Sequence, residues 1–263
     1  MTDKYAVIGN PIAHSKSPLI HQMFAEQTGH DISYEAILAP PDGFAATVER
    51  LRMAGYCGCN ITVPFKFDAF QLATKLTERA AAAQAVNTLK FDGATMLGDN
   101  TDGAGLVRDI ERRMVLQAKR VLLIGAGGAA YGVVLPLLQA GAELTVVNRT
   151  PEKAQRLGLA FAGKVAVCSY RELDGLVFDC VINATSSGLF GEMPEIPDSI
   201  FAPGAWAYDM MYGKQTPFMA FARKSGAQVV DGLGMLVEQA AEAFFLWRGV
   251  RPDTMPVIAA LRP

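Results

Sequence analysis

The chain has 263 residues, 51% of them hydrophobic and 19% charged, with a formal net charge of −2. That is enough chain for two modest domains with packed cores, and it excludes a disordered protein. The near-neutral charge gives no electrostatic reason to expect nucleic acid or an anionic membrane as partner.

Taken in chain order, Tyr5–Gly9 reads as a strand, too short for the apolar core of a signal peptide. Ser17-Pro18 opens a helix, with Ser17 as cap and Pro18 at the first helical position, and Gly29 closes it. Ile32–Leu38 is a second strand, Phe44–Met53 a helix ended by Gly55, and Tyr56–Thr62 a third strand. Pro64 is expected to open one long helix running into Ala80–Ala83. Val86–Lys90 and Thr95–Leu97, joined by Asp92-Gly93, read as a hairpin. A helix over Asp102–Met114 precedes a second series of strands: Val121–Ile124, Leu144–Val147, Val165–Val167, Cys180–Asn183, Ala205–Met211 and Gln228–Val230. These are nearly continuous apolar runs, as expected of a parallel sheet covered on both faces. The last helix, Met235–Trp247, is strongly apolar, and domain boundaries fall near Asn100 and Leu233.

No apolar run is long enough to span a bilayer. Cys57, Cys59, Cys168 and Cys180 form no CxxC pair, and His14, His21 and His30 all lie near the N-terminus. No metal site is therefore expected, and the thiols read as reduced side chains of a cytoplasmic protein.

Val121-Leu122-Leu123-Ile124 runs into Gly125-Ala126-Gly127-Gly128-Ala129-Ala130 and then into a helix. This fits the GxGxxG/A fingerprint in its strand–turn–helix context, where Gly125 permits the tight turn and Gly127 a close backbone approach to a pyrophosphate. The next strand ends in Asn148-Arg149-Thr150, with Lys153 one turn later, where an NAD site usually carries an acid. A guanidinium there favours a 2′-phosphate, hence NADP; the alternative is a solvated basic turn.

Three further groups suggest a polar site. Ser15 and Ser17 sit two apart at a helix start and suit a carboxylate, unless Ser17 is only a cap. Asn60 and Thr62 share a strand face, and Lys66 falls in the first turn of the next helix, an unfavourable place for a cation and a reasonable one for proton transfer. Asn87 and Asp102 add an amide and a carboxylate, although Asp102 at a helix start also fits a dipole partner.

These segments together resemble the shikimate dehydrogenase family. The resemblance runs through Gly9-Asn10-Pro11, His14-Ser15-Lys16-Ser17-Pro18, Asn60–Lys66, Ala85-Val86-Asn87-Thr88 and Asn100-Thr101-Asp102-Gly103. It continues through the glycine turn, Asn148-Arg149-Thr150, Asn183-Ala184-Thr185-Ser186, Asp209-Met210-Met211-Tyr212 and Asp231–Gln239. It implies an α/β fold: a substrate-binding domain over 1–101, a Rossmann-type doubly wound NADP-binding domain over 102–234, and a C-terminal helical segment over 235–263 that returns to the first domain.

The resemblance also implies roles. Ser15, Ser17 and Tyr212 bind the substrate carboxylate; Asn60, Thr62, Asn87, Asp102 and Gln239 bind ring hydroxyls; Lys66 and Asp102 are the acid–base pair. Gly125, Ala126, Gly127, Gly128, Ala129, Asn148, Arg149, Thr150 and Lys153 hold NADP, with Thr185, Met210, Gly232 and Met235 along its nicotinamide. The implied activity is reduction of 3-dehydroshikimate to shikimate with NADPH, by a monomer or homodimer, in aromatic amino acid biosynthesis. Two alternatives stand beside it: an NAD(P)-dependent quinate/shikimate dehydrogenase, and a non-catalytic metabolite sensor. Tyr131, where many relatives carry Arg, places the basic contribution on Arg149 and Lys153.

Overall fold

The apolar runs of the sequence assemble into two separate sheets. The computed structural model describes residues 2–262, the side chain of Leu189 excepted. The chain forms two compact units, Met1–Gly105 with Leu236–Pro263, and Leu106–Met235.

The first unit contains β1 (Asp3–Gly9), α1 (Ser17–Thr28), β2 (Ile32–Leu38), α2 (Phe44–Met53), β3 (Tyr56–Ile61), α3 (Lys66–Leu72), β4 (Lys75–Leu76), α4 (Glu78–Ala83), β5 (Thr88–Asp92) and β6 (Thr95–Asp99). Its sheet runs in the order β2-β1-β3-β5-β6-β4. β1 is parallel to β2 and β3, and the β5–β6 hairpin joins β3 antiparallel. Side chains alternate across β1: Ala6 and Ile8 enter a core with Phe44, Val48, Leu51 and Phe65, while Tyr5 packs with Trp247 on the other face. Trp247 stacks on Tyr5 with ring centroids 4.5 Å apart and donates its indole N–H to Leu89 O at 3.0 Å.

Some elements depart from expectation. The single helix from Pro64 into the alanines is two helices with an edge strand between them. Thr74 donates its backbone N–H to Met96 O, and its hydroxyl accepts from Met96 N, so the chain is drawn into pairing with β6. Thr77 then restarts a helix as its cap, accepting from Ala80 N. Sheet hydrogen bonds outweigh helix propensity here. The helix beginning at Asp102 also stops at Glu111, before Met114, and the short helix Met255–Leu261 had no counterpart among the expected elements.

The second unit contains most of α5 (Asp102–Glu111), then β7 (Arg120–Ile124), α6 (Gly128–Gln139), β8 (Glu143–Val147), α7 (Pro151–Ala160), β9 (Ala166–Cys168), β10 (Phe178–Asn183), β11 (Phe201–Asp209), α8 (Pro217–Lys224) and β12 (Gln228–Asp231). α9 (Leu233–Arg248) begins there, and α10 (Met255–Leu261) lies in the first unit. The sheet is parallel throughout, in the order β12-β11-β10-β7-β8-β9. This is the doubly wound Rossmann order, with its switch point between β7 and β10. Among the described residues, no helix is long and apolar enough to cross a membrane.

His21 is the most unusual core residue of the first unit. Its ring stacks on Tyr34 with centroids 4.2 Å apart and meets Phe24 edge-on, and neither nitrogen has a hydrogen-bond partner. Burial drives its pKa down to about 3, with the nearby Asn60 amide acting in the opposite sense. The unfolded chain protonates this ring near the ordinary value of about 6.5. The unfolded state therefore binds the extra proton as pH falls below 6.5, and stability is withdrawn down to about pH 3. His21→Leu is expected to flatten the stability–pH curve, recovering roughly 2–3 kcal/mol of the loss between pH 7.5 and 4.5. Urea unfolding at the two pH values measures this, and an unchanged difference removes His21 from the acid sensitivity.

Candidate functional site

In the first unit, strand register gathers the polar residues at one end of the sheet. Asn60 lies opposite Thr88, and Thr88 opposite Asp99. Asn87 therefore stands just before β5 and Asn100-Thr101-Asp102 just after β6, beside the C-terminal end of β3. Lys66, the first residue of α3, meets the first residue of α5: its Nζ donates to Asp102 Oδ2 at 2.6 Å. The other oxygen, Asp102 Oδ1, accepts from Asn87 Nδ2 at 2.7 Å. The Asn87 carbonyl oxygen accepts from Thr101 N at 2.8 Å, which fixes which way the amide faces.

Around this centre the remaining residues fall into place unevenly. Gln239 Oε1 lies 3.4 Å from Asn87 Nδ2 and 3.3 Å from Thr101 Oγ1, so α9 brings it to the cluster. Asn60 donates to Thr88 Oγ1 and to Asn87 O. Thr62 follows β3, half-buried, with its methyl against Gly9, where a Cβ would come within 2.4 Å. Ser15 and Ser17 are adjacent, Ser17 N donating to Ser15 Oγ at 3.3 Å. Ser17 is not the expected cap: Lys16 holds that position, and no side chain caps α1. That leaves the Ser17 hydroxyl to its neighbour Tyr34 and to ligands.

A second ring of polar groups supports the loop that carries Asp102. Asp99 is almost fully buried and accepts from Thr77 Oγ1, from both Nε and Nη2 of Arg79, and from Asn100 N, at 2.6–2.7 Å. Asn100 donates to Ala85 O and accepts from Asp102 N. Thr77, Arg79, Thr88, Asp99 and Thr101 were not among the expected site residues. Their sequence signal is a polar or charged side chain where an apolar strand or helix face would otherwise continue, and it became readable only once the strands were paired.

In the second unit one row of the sheet does the same work. Val147, Ile124, Asn183, Asp209 and Asp231 lie side by side across five strands. The residues immediately after them are therefore neighbours along one edge: Asn148, Gly125, Ala184-Thr185, Met210 and Gly232. Gly125 has φ +116, and a Cβ there would lie 3.2 Å from Thr185 Cγ2. Before Gly127 there is open space at the start of α6, so a phosphate group can approach free helix N–H groups. Ala126 is buried, Gly128 and Ala129 form the first turn of α6, and Ala130 packs fully buried beneath.

Gly232 approaches so closely that a Cβ would lie 2.1 Å from Met210 O, and Met235 N donates to the Tyr208 hydroxyl at 3.3 Å. Thr185 is held by Asn183, whose Oδ1 accepts from both its N–H and its hydroxyl. Asp209 accepts from Asn183, Thr216 and Met211 N, and burial raises its pKa despite them. Asn148 donates to Thr150 O ahead of α7, while Lys153 and Arg149 are exposed and Arg149 stands 3.8 Å from Glu192. Tyr212 follows β11, its phenol pKa raised by burial. Among the described residues, no group of three His, Cys, Asp or Glu side chains is placed to hold a metal.

These two sites lie in segments that known family models recognise separately. Residues 7–89 match the shikimate dehydrogenase substrate-binding domain, 108–190 the shikimate/quinate 5-dehydrogenase domain, and 232–262 the shikimate 5′-dehydrogenase C-terminal domain. The chain is 59% identical over 269 residues to the shikimate dehydrogenase (NADP(+)) of Nitrosospira multiformis, covering 100% of this chain and 98% of that one. The chain belongs to the shikimate dehydrogenase family. Solved structures agree over the full length. The Ael1 enzyme from Pseudomonas putida superposes with a TM-score of 0.94 at 46% identity, covering 100% and 99% of the two chains. The shikimate 5-dehydrogenase of Thermus thermophilus, solved in complex with NADP(H) and shikimate, gives 0.90 at 32% identity, covering 98% of each.

Within this family member the glycine turn carries a measurable constraint. Gly125→Ala places a Cβ in a backbone region closed to L side chains and against the Ala184 carbonyl at 3.3 Å. The substitution is expected to cost about 1–3 kcal/mol in denaturant unfolding. A smaller change means the turn relaxes to another conformation.

Proposed function

We infer that this chain is an NADP-dependent shikimate dehydrogenase, catalysing the reversible reduction of 3-dehydroshikimate to shikimate in aromatic amino acid biosynthesis. The observation that carries the reading is the near-complete identity of extent with relatives of that name, joined to a lysine–carboxylate pair fixed by an oriented amide.

When bound, NADPH supplies hydride to the ketone carbon. The chain's own residues supply position and a proton. Lys66 Nζ, held by Asp102 Oδ2, is the group that protonates the developing alkoxide, and in the reverse direction accepts that proton. Asp102 divides its two oxygens between Lys66 and Asn87. A ring hydroxyl placed beside them is therefore oriented by groups that need not reorganise during reaction. Asn87, Gln239, Asn60 and Thr62 present amides and a hydroxyl to the ring hydroxyls, and Ser15 and Ser17 receive the carboxylate. The residues around the glycine turn suit a dinucleotide, since Gly127 leaves the helix N-terminus open and Arg149 offers a guanidinium to a 2′-phosphate. The four free thiols suit a reducing compartment, and we assign the enzyme to the cytoplasm.

The direct test is absorbance at the NADPH band with shikimate and NADP, then with quinate and with NAD. Reduction of NADP by shikimate is the expected result. Turnover only with quinate or NAD moves the enzyme to the quinate/shikimate branch, and no turnover in any pairing leaves the sensor reading. Lys66→Ala is expected to lower turnover by roughly 10²–10⁴ with a much smaller effect on substrate affinity. Unchanged turnover takes Lys66 out of the proton transfer.

A further inference from the structure

We infer that Tyr34, which contributes no group to the chemistry, is a positioning residue: its hydroxyl holds the Asn60 amide in place beside Thr88 and Asn87, next to the Lys66–Asp102 pair. The inference rests on the dehydrogenase reading of this site.

The hydrogen bonds run in one direction. Tyr34 Oη donates to Asn60 Oδ1 at 2.7 Å, and Asn60 Nδ2 donates to Thr88 Oγ1 at 3.0 Å. Thr88 Oγ1 donates to Asn87 Oδ1 at 2.9 Å, and Asn87 Nδ2 donates to Asp102 Oδ1 at 2.7 Å. Lys66 closes the chain on the other carboxylate oxygen. Asn60, Thr88, Asn87 and Asp102 are all buried, so water is a poor substitute for any missing member.

Thr101 N fixes the chain at its Asn87 end, and Tyr34 supplies the donor at the other end. An amide can turn over about its last torsion with little change of shape. Were Asn60 to do so, its oxygen would face Thr88, and the single Thr88 proton would be contested between Asn60 and Asn87. The Asn87 backbone carbonyl, which accepts from Asn60 Nδ2, opposes this from one side, and the Tyr34 hydroxyl opposes it from the other by offering a proton where the Asn60 oxygen sits. Its phenol keeps that proton, because burial pushes its pKa well above the ordinary range. The ring itself is immobilised by His21, stacked at 4.2 Å and inclined by only 8°. His21 makes no hydrogen bond that would compete for the hydroxyl.

The test is steady-state kinetics on the full-length enzyme with shikimate and NADP, comparing the parent with Tyr34→Phe, Asn60→Ala and the double variant. Tyr34→Phe is expected to raise KM for shikimate about tenfold, since it leaves a buried acceptor without its donor. kcat and KM for NADP should stay within about twofold, a split that general loosening of the fold does not produce. In the Asn60→Ala background, Tyr34→Phe should add nothing. Parental KM in Tyr34→Phe, or effects that multiply in the double variant, overturn the inference. Thr88→Val interrupts the same chain from another strand and is expected to give the same split. Parental KM there overturns the chain even if Tyr34→Phe is unstable. A parent that does not turn over shikimate with NADP sinks the dehydrogenase reading instead.

Discussion

A carboxylate cannot be buried alone, and the first unit is organised around that constraint at Asp102. An unpaired charge there would cost several kcal/mol. Lys66 and Asn87 take one oxygen each, so neither oxygen of the carboxylate lacks a partner inside the fold. Keeping Asn87 in place then demands Thr101 N and Thr88 Oγ1 at its carbonyl, and keeping Thr101 in place demands the Asn100 and Asp99 contacts behind it. The Lys66–Asp102 pair is thus the innermost member of a nest of satisfied polar groups.

The second unit solves a different problem with the same economy. Its sheet ends in a row where Asn183 and Asp209 face each other inside the fold, and both use their polar atoms to hold the following residues. Thr185 and Met211 are held by side chains of the strands themselves, not by loop contacts. Parallel strands that end in register make such a row possible, because every loop then leaves from one edge. The glycine turn adds the complementary feature, a helix start left open where no side chain stands in front of the backbone. Arg149 and Lys153 stand exposed after this row, where a charge costs the fold little.

The aromatic cluster under the first sheet connects stability with function. His21 accepts an unfavourable burial with no hydrogen bond, yet its flat, neutral ring covers the whole face of Tyr34. Trp247, arriving from α9, packs on Tyr5 and binds Leu89 O, the carbonyl next to Thr88. The same helix carries Gln239 to Asn87. A single apolar helix therefore both completes the core and delivers a site residue.

Much of this was legible in the chain itself. Strand-like runs alternating with helical stretches are enough for two α/β sheets, and the continuous apolar runs of the second series mark covered parallel strands. The glycine turn was readable because strand, turn and helix are contiguous in sequence, and Lys66 because its place at a helix start is locally unfavourable. Tertiary structure decided what depends on partners distant along the chain. Thr74 and Thr77 gave up one long helix for the edge of β6, and Lys16 rather than Ser17 took the cap of α1. Tyr34, Thr88 and Asp99 acquired their roles only when β2, β3, β5 and β6 were paired. Local spacing fixes which way a side chain can point, but a hydrogen bond between strands is set by register, and register belongs to the folded sheet.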